Sequence, residues 1–524
     1  MNKTKTLPPT APPKDEVRAK LHLTPSALWD QLPTLPMLDM KDYLSQGERG
    51  DADLLAFLYQ DRIAYDHSEK QWYLWTGEYW EADTKGKVYR LVSEFVRAEY
   101  VHAAGRSLRQ SKPTQDSQDA AKAQSDAFFK RAKALCSRTR IESVLTLATK
   151  GTELALSGQE WDKDPYLLVV RNGTINLESG KLQPGMPGDY VRTVANANWE
   201  GDAECPRWIQ FLDEIFGGNQ ELVDFMQRLF GYAITGLSTE HVLAVFHGEG
   251  RNGKDTMLEA LSSVLNGWAG PVSTDILINT GGSTGAATPH LMGLRGKRLA
   301  WCSETNEGQR LDAAQVKLIT GGGAIPCRGL YQKATSFVPH HLLCLITNSK
   351  PHADARDYAL WKRMLLIPFT QSFVREIEDP DNLDEHLADK YLREELVEES
   401  DGILQWLVEG TKEYLTKGLM EPDSIIAATT EYRSEEDTLS LFVDEICRIG
   451  SEYTIAASAL YQQYKTWLEL NSLGRPMSST AFGRRMGKQF ERGRKSSGKF
   501  YYGVTTGTLA EYAKMDAIFK KKNV

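Results

Sequence analysis

The sequence predicts an α/β protein: a P-loop motor set between a mostly α N-terminal region and a C-terminal winged-helix module. Three observations predict it. A glycine loop, Gly248-Glu249-Gly250-Arg251-Asn252-Gly253-Lys254, stands between an apolar run, VLAVF, and an amphipathic segment, DTMLEALSSVL. Strand, loop and helix in that order are the context a phosphate-binding loop requires. Three further apolar runs follow between residues 299 and 369, each flanked by a polar residue suited to nucleotide chemistry. Near the C-terminus, LFVDEICRIG, ALYQQYKTWLEL and SSTAFGRRMGKQF read as three helices, and ERGRKSSGKFYYGVTT as a basic hairpin. That is the order of a winged-helix module.

The 524 residues suffice for about three or four domains of roughly 150 residues. No run of about 18 apolar residues exists, which excludes a membrane-spanning helix. Basic residues at the N-terminus are not followed by an apolar core, so no secretory signal is read there. The 6 cysteines form no CxxC pair, which argues against zinc and disulfides and for a reducing cytoplasm. A net charge of −8 disfavours a generally basic surface and leaves a local stripe or a lined pore for nucleic acid.

Residues 1–50, with Pro8, Pro9, Pro12, Pro13, Pro25, Pro33 and Pro36 among polar neighbours, read as a disordered tail. Residues 51–235 read as an N-terminal α+β domain. DADLLAFLYQ predicts a helix, and YLW and YWEAD flank a turn at Thr76-Gly77. Alternating Trp72, Tyr73, Trp75, Tyr79 and Trp80 read as core, with base stacking as the alternative. The polar stretch 105–128 is an exposed loop or a solvated helix. LLVVRNGTINL gives two strands around Asn172-Gly173, and Gly217-Gly218 separates two amphipathic helices, the second ended by Gly236.

Residues 236–375 form the motor. Glycines let backbone N–H groups converge on phosphate oxygens, the helix N-terminus adds a favourable field, and Lys254 reaches the terminal phosphates of ATP. The residue after this lysine, normally Ser or Thr for Mg²⁺, is Asp255, followed by Thr256. Either Asp255 or Thr256 takes the metal. A strand from Leu299 to Cys302 ends in Ser303-Glu304; Glu304 is the candidate base for the attacking water, with Ser303 beside it in the metal shell. Strands around 325–330 and 334–338 put Tyr331 and Lys333 near a hairpin tip, and His340 and His341 read as structural. LLCLIT leads to Asn348, which can hold the lytic water or sense the γ-phosphate. Arg363 precedes the last strand, where it can reach a neighbouring subunit's nucleotide in trans.

Residues 376–435 read as a charged, solvated helical lid packed on the motor. In 436–510 the cations Arg475, Arg484, Arg485, Lys488, Arg492, Arg494, Lys495 and Lys499 have only Glu491 among them, a local DNA footprint. Residues 511–524 are a basic tail.

FHGEGRNGKDT, WCSETNEGQRLDAAQVKLITGGG, LLCLITNSKP and ALWKRMLLIPF together resemble superfamily 3 helicases, in particular the phage and plasmid primase–helicase family that includes the poxvirus primase–helicase. The resemblance implies a hexameric AAA+ ring that hydrolyses ATP with Mg²⁺ between subunits and moves 3′→5′ on single-stranded DNA. It implies Lys254 as phosphate lysine, Glu304 as base, Asn348 as sensor and Arg363 as finger, with Tyr331, Lys333 and Arg328 facing a central pore. The preceding domain would serve as an oligomerisation collar. The acidic pairs Asp51/Asp53 and Asp162/Asp164 read as a helix start and a loop, so primer synthesis is expected of a separate primase or polymerase partner. Single-stranded and forked DNA are the expected substrates, in the cytoplasm of a host cell. The alternative is a DNA-bound ATPase initiator or helicase loader that assembles on an origin without processive unwinding.

Overall fold

A computed structural model describes residues 37–278, 288–303, 309–329, 335–377, 384–471, 473, 476–495 and 498–507. The first helices, α1 (Met37–Ser45) and α2 (Gly47–Tyr59), correct the expected tail: residues 37–45 are helical, and Met40 is fully buried. Helicity is possible there because Gly50 lets the two helices touch; a Cβ on it would lie 1.9 Å from the Tyr43 carbonyl oxygen. Strands β1 (Ile63–Asp66), β2 (Gln71–Trp75), β3 (Trp80–Ala82) and β4 (Ala155–Leu156) form one sheet in the order β3-β2-β1-β4. The expected turn joins β2 to β3, with Trp75 opposite Trp80. Trp75 and Trp80 are buried and pack with Trp161 and Tyr190, so these rings are core.

Helices α3 (Lys87–Arg90), α4 (Arg97–Arg109), α5 (Gln115–Ala134) and α6 (Arg138–Ala148) complete this unit. The polar stretch 105–128 is mostly helix, anchored by buried Ser125 and Phe128. Asp51 lies inside α2 rather than at its start. It is fully buried, 2.7 Å from Arg131 and 2.5 Å from Arg140, and accepts a hydrogen bond from the Tyr100 hydroxyl.

Strands β5 (Leu167–Val170), β6 (Gly173–Asn176) and β7 (Lys181–Gln183) form an antiparallel meander, one strand more than expected. Helices α7 (Pro206–Ile215) and α8 (Gln220–Ile234) flank Gly217-Gly218, both at positive φ. The central sheet contains β8 (Leu243–His247), β9 (Ala269–Pro271), β10 (Leu299–Ser303), β13 (Leu342–Thr347) and β14 (Met364–Pro368). Its order is β14-β8-β13-β10-β9, with every pairing parallel. Alternate β8 residues enter two cores, Ala244 and Phe246 on one face and Leu243 and Val245 on the other, as a strand covered on both sides requires. Helix α9 (Lys254–Leu265) follows β8, and α10 (Pro289–Met292), α11 (Ala313–Ile319) and α12 (Tyr358–Trp361) lie in the later connections. Strands β11 (Ile325–Cys327) and β12 (Thr335–Phe337) pair antiparallel, within the expected strands 325–330 and 334–338, whose connection lies outside the described residues.

Strands β15 (Ser372–Val374) and β16 (Glu385–Leu387) lead into α13 (Leu392–Glu398), α14 (Ser400–Lys417) and α15 (Asp423–Glu435). The expected lid does pack on the central sheet, and only its solvated character is corrected. Ile403, Leu404, Leu407 and Val408 form an apolar stripe at helical spacing and are fully buried in the core that also holds β8. Gly231 of α8 and Gly410 of α14 bring the two backbones together, and the Thr411 hydroxyl donates to the Gly231 carbonyl at 2.9 Å.

The last unit runs α16 (Thr438–Ile446), β17 (Cys447–Ala456), α17 (Ala457–Leu470), α18 (Ser479–Gln489), β18 (Arg492–Lys495) and β19 (Gly498–Thr506). Its antiparallel sheet has the order β17-β19-β18 around Phe442, Tyr464, Trp467, Phe482 and Met486. Three helices and a basic hairpin are present as expected. Residues 447–450, expected as helix, instead begin β17. The chain is thus mixed α/β, and among the described residues no helix is long and apolar enough to cross a membrane.

Candidate functional site

In an open parallel sheet, ligands bind beyond the C-terminal strand ends where strand order reverses. β8 lies between β14 and β13, so the loop 248–253 leaves the sheet at such a point. Two contacts shape this loop. Gly248 passes under Phe369, where a Cβ would stand 2.1 Å from the Phe369 carbonyl oxygen. The Asn252 amide, 3% exposed, donates to the Glu249 carbonyl and, at 3.4 Å, to that of Phe369. Gly253 ends the loop at φ 85° against Ile215, and α9 begins.

Lys254 is 2% exposed. Its ammonium donates to the Gly248 carbonyl at 2.6 Å and to Asn348 Oδ1 at 3.3 Å. Burial lowers its pKa from 10.5 to about 8, against the opposing pull of Asp255. A buried cation whose hydrogen-bond acceptors are neutral oxygens, at a helix N-terminus, suits an incoming phosphate.

Asn348 follows β13, and Thr347 pairs with His247 in register, so the structure unites Asn348 with Lys254. Ser303 sits at the same edge on β10, paired with Ile346, two strands from β8 or about 10 Å. Glu304, Tyr331 and Lys333, together with Arg475, the residues of the expected tails at 1–36 and 511–524 and the Lys495 side chain, lie outside the described residues. Asp255 is exposed in the first turn of α9. Thr256 lies on the face of α9 with Glu259 and Ser263, lining a cavity of about 200 Å³ with Arg393, Leu396 and Val397. One helical step of about 100° turns it away from the position Asp255 holds.

Arg363 lies at the opposite sheet edge. It precedes Met364, which pairs with Leu243, whereas the loop follows His247 at the other end of β8, about 16 Å along the strand. Its guanidinium donates to the Ala359 carbonyl at 2.8 Å. From there it does not reach the loop of its own chain.

Arg328, beyond β11, is exposed, and its backbone is paired with Thr288. In the C-terminal unit Arg484 and Lys488 stand exposed one turn apart on α18, and Arg494 faces Lys499 across the hairpin. Two like charges opposite one another cost stability and favour an anion between them. Arg485 is corrected as a DNA contact: it is 15% exposed and 3.1 Å from Asp354 of the motor. Arg492 folds back to donate to the Gly483 carbonyl of α18. Sequence reasoning missed the segment 349–357, which is bound by Glu435, Glu436 and Arg485. Its partners are distant in the chain and left no local signal.

Residues 52–217 match a family model described as "D5 N terminal like", which ends just before the central sheet. "Putative helicase L207/L206" of Acanthamoeba polyphaga mimivirus is 26% identical over 327 residues, covering 60% of this chain and 34% of that protein. "Primase D5" of fowlpox virus (strain NVSL) is 25% identical over 231 residues, covering 41% of this chain and 28% of that one. Its name stands against the expectation that primer synthesis belongs to a separate partner. The chain spans about a third of the length of the curated relatives it matches. Among solved structures, the NrS-1 C-terminal region in its apo form aligns with 85% of this chain and 96% of that one, at 10% identity and a TM-score of 0.44.

Proposed function

The D5-type segment and the viral relatives support a member of the primase–helicase family, and on that premise we propose that this chain is an ATP-driven DNA helicase motor of replication. The observation that carries the reading is Lys254, buried at the end of a glycine loop, beside Asn348 and, among the described residues, hydrogen-bonded to neutral oxygens. ATP fits that cradle, and Asp255 and Ser303 offer oxygens for Mg²⁺ at its mouth. In this reading Glu304 activates the water, Asn348 senses the γ-phosphate, and Arg363 completes the site of the next subunit in a hexameric ring.

The sheet order β14-β8-β13-β10-β9 supports an AAA+ motor of superfamily 3. The order helix, strand, helix, helix, strand, strand at the C-terminus supports a winged-helix module. Tyr331, Lys333 and Arg328 would line the pore around single-stranded DNA, moving it 3′→5′. Primer synthesis stays outside the proposal because three of the four acidic residues are already engaged in ion pairs. Asp51 is neutralised by two arginines, Asp53 lies 2.8 Å from Arg49, and Asp162 lies 3.5 Å from Arg192. A separate primase or polymerase remains the proposed partner.

The exposed basic face of the C-terminal unit favours one second reading, an initiator or loader held on duplex DNA. Unwinding of a forked duplex separates the two, with a 3′ tail compared against a 5′ tail and Lys254→Ala as control. Loss of the 3′-tailed fork by wild type alone supports the motor. DNA-stimulated hydrolysis without unwinding of either fork supports the initiator.

A further inference from the structure

Residues 349–357 join three parts of the motor. They follow Asn348 directly and lead into α12, with Arg363 two residues past its end. Between these ends the His352 N–H donates to the Gln309 carbonyl at 2.8 Å, and the Leu311 N–H donates to the His352 carbonyl at 2.9 Å. The segment therefore also fixes residues 309–311. At its far end the Asp354 carbonyl accepts the Trp361 indole N–H at 2.8 Å, and the Asp357 carboxylate caps α12 through Leu360 N–H at 3.0 Å.

The opposite side of the segment is held by the lid and the C-terminal unit. Lys350 pairs with Glu435 at 2.8 Å, the Tyr432 hydroxyl donates to the Pro351 carbonyl, and Arg433 Nε donates to the Ala355 carbonyl at 2.9 Å. Glu436 lies between α15 and α16, at the junction of lid and C-terminal unit. It accepts the Ala353 N–H at 2.8 Å and lies 3.2 Å from His352 Nδ1. Arg485, on α18 beside the exposed Arg484, reaches Asp354 at 3.1 Å. A cleft of about 940 Å³ lined by Arg310, His352, Asp354, Glu436 and Arg485 separates the two bodies at these links. Space beside a few ionic ties allows the contact to tighten or part.

We propose that residues 349–357 are a strap through which DNA on the C-terminal unit sets the geometry of the nucleotide site, with Asp354 and Glu436 as positioning residues. The proposal rests on the ATPase reading above and adds its regulation. A shift of α18 on binding DNA is passed through Arg485 to Asp354. From there it moves Asn348 at one end, residues 309–311 in the middle, and Arg363 at the other end.

The test uses the full chain, ATP and a 3′-tailed forked duplex. Asp354→Asn removes the charge that holds Arg485 while leaving Arg484, Lys488, Arg494 and Lys499 in place. DNA-stimulated hydrolysis is expected to fall about threefold to tenfold, the range of coupling such a network carries. Hydrolysis without DNA and affinity for the fork stay within about twofold of wild type, and Asp354→Glu restores stimulation. Glu436→Gln, which keeps the acceptor for Ala353 and drops the charge facing His352, should act in the same direction. Full stimulation in both variants overturns the proposal. So does a parallel loss of DNA-free hydrolysis or DNA affinity, which marks a structural role. A wild type whose hydrolysis ignores DNA overturns the strap alone; hydrolysis that survives Lys254→Ala overturns the ATPase reading itself.

Discussion

Asn252→Ala tests how the phosphate loop is held before nucleotide arrives. The side chain is 3% exposed, and its amide ties the Glu249 carbonyl inside the loop to the Phe369 carbonyl just past β14. Alanine removes the donor and leaves two carbonyls without it. A buried carbonyl left unsatisfied costs about 1–3 kcal/mol, and the exposed neighbours Glu249 and Gly250 let water recover part of this. A net cost of about 2 kcal/mol follows, borne by the loop because Asn252 lies outside the sheet and helix ladders. The bound conformation must then be recovered on binding, which weakens ATP by roughly 30-fold at about 1.4 kcal/mol per decade. Titration with a fluorescent ATP analogue, alongside a thermal melt, reads both effects. Asn252→Asp has the same shape without the donor and should bind at least as weakly. Affinity within about twofold of wild type and an unchanged melt would refute the assignment of Asn252 as the tie.

Three further outcomes are expected. Burial holds Lys254 at about 8, and the protonated form is the one that pairs with phosphate, so ATP affinity should fall as pH rises from 7 to 9. Lys254→Arg, which stays charged, should flatten that profile; the same depression penalises folding below about pH 8 and is relieved as pH rises toward 10.5. Gly231→Ala would place a Cβ 2.2 Å from the Gly410 carbonyl carbon, forcing α8 and α14 apart at a cost of about 1–3 kcal/mol or more. A lower unfolding midpoint checks it, and an unchanged midpoint would exclude so close a crossing. Replacing Arg494 and Lys499 by alanine should weaken duplex binding and make the slope of log K against log salt shallower by about 1 per cation. An unchanged slope would remove this hairpin from the DNA interface.

Much of the central α/β unit was legible because its signals are local. The run VLAVF, the glycines after it and the periodic segment from Lys254 define strand, loop and helix without reference to the rest of the chain. The strands ending at Ser303 and Thr347 and the helix before Gly321 were readable for the same reason. In the C-terminal unit, helices and a basic hairpin followed from periodicity and charge. β17 did not, since LFVDEICRIG keeps helical spacing across its junction.

Burial and pairing partners were settled only by tertiary structure. Charged residues along α14 hid an apolar stripe that α8 covers, and residues 37–45 became helix once a neighbour stood against Gly50. Arg485 reads like its neighbours in a basic run, yet Asp354, 131 residues away, withdraws it from the surface. Arg363 and Lys254 lie at opposite ends of the sheet, because parallel register puts the start of β14 beside the start of β8. By itself the sequence determined the chemistry available, since a residue's type and its immediate neighbours carry that information. Which groups share a site, and which are spent on one another, depends on contacts between distant segments, and only the packed chain decided it.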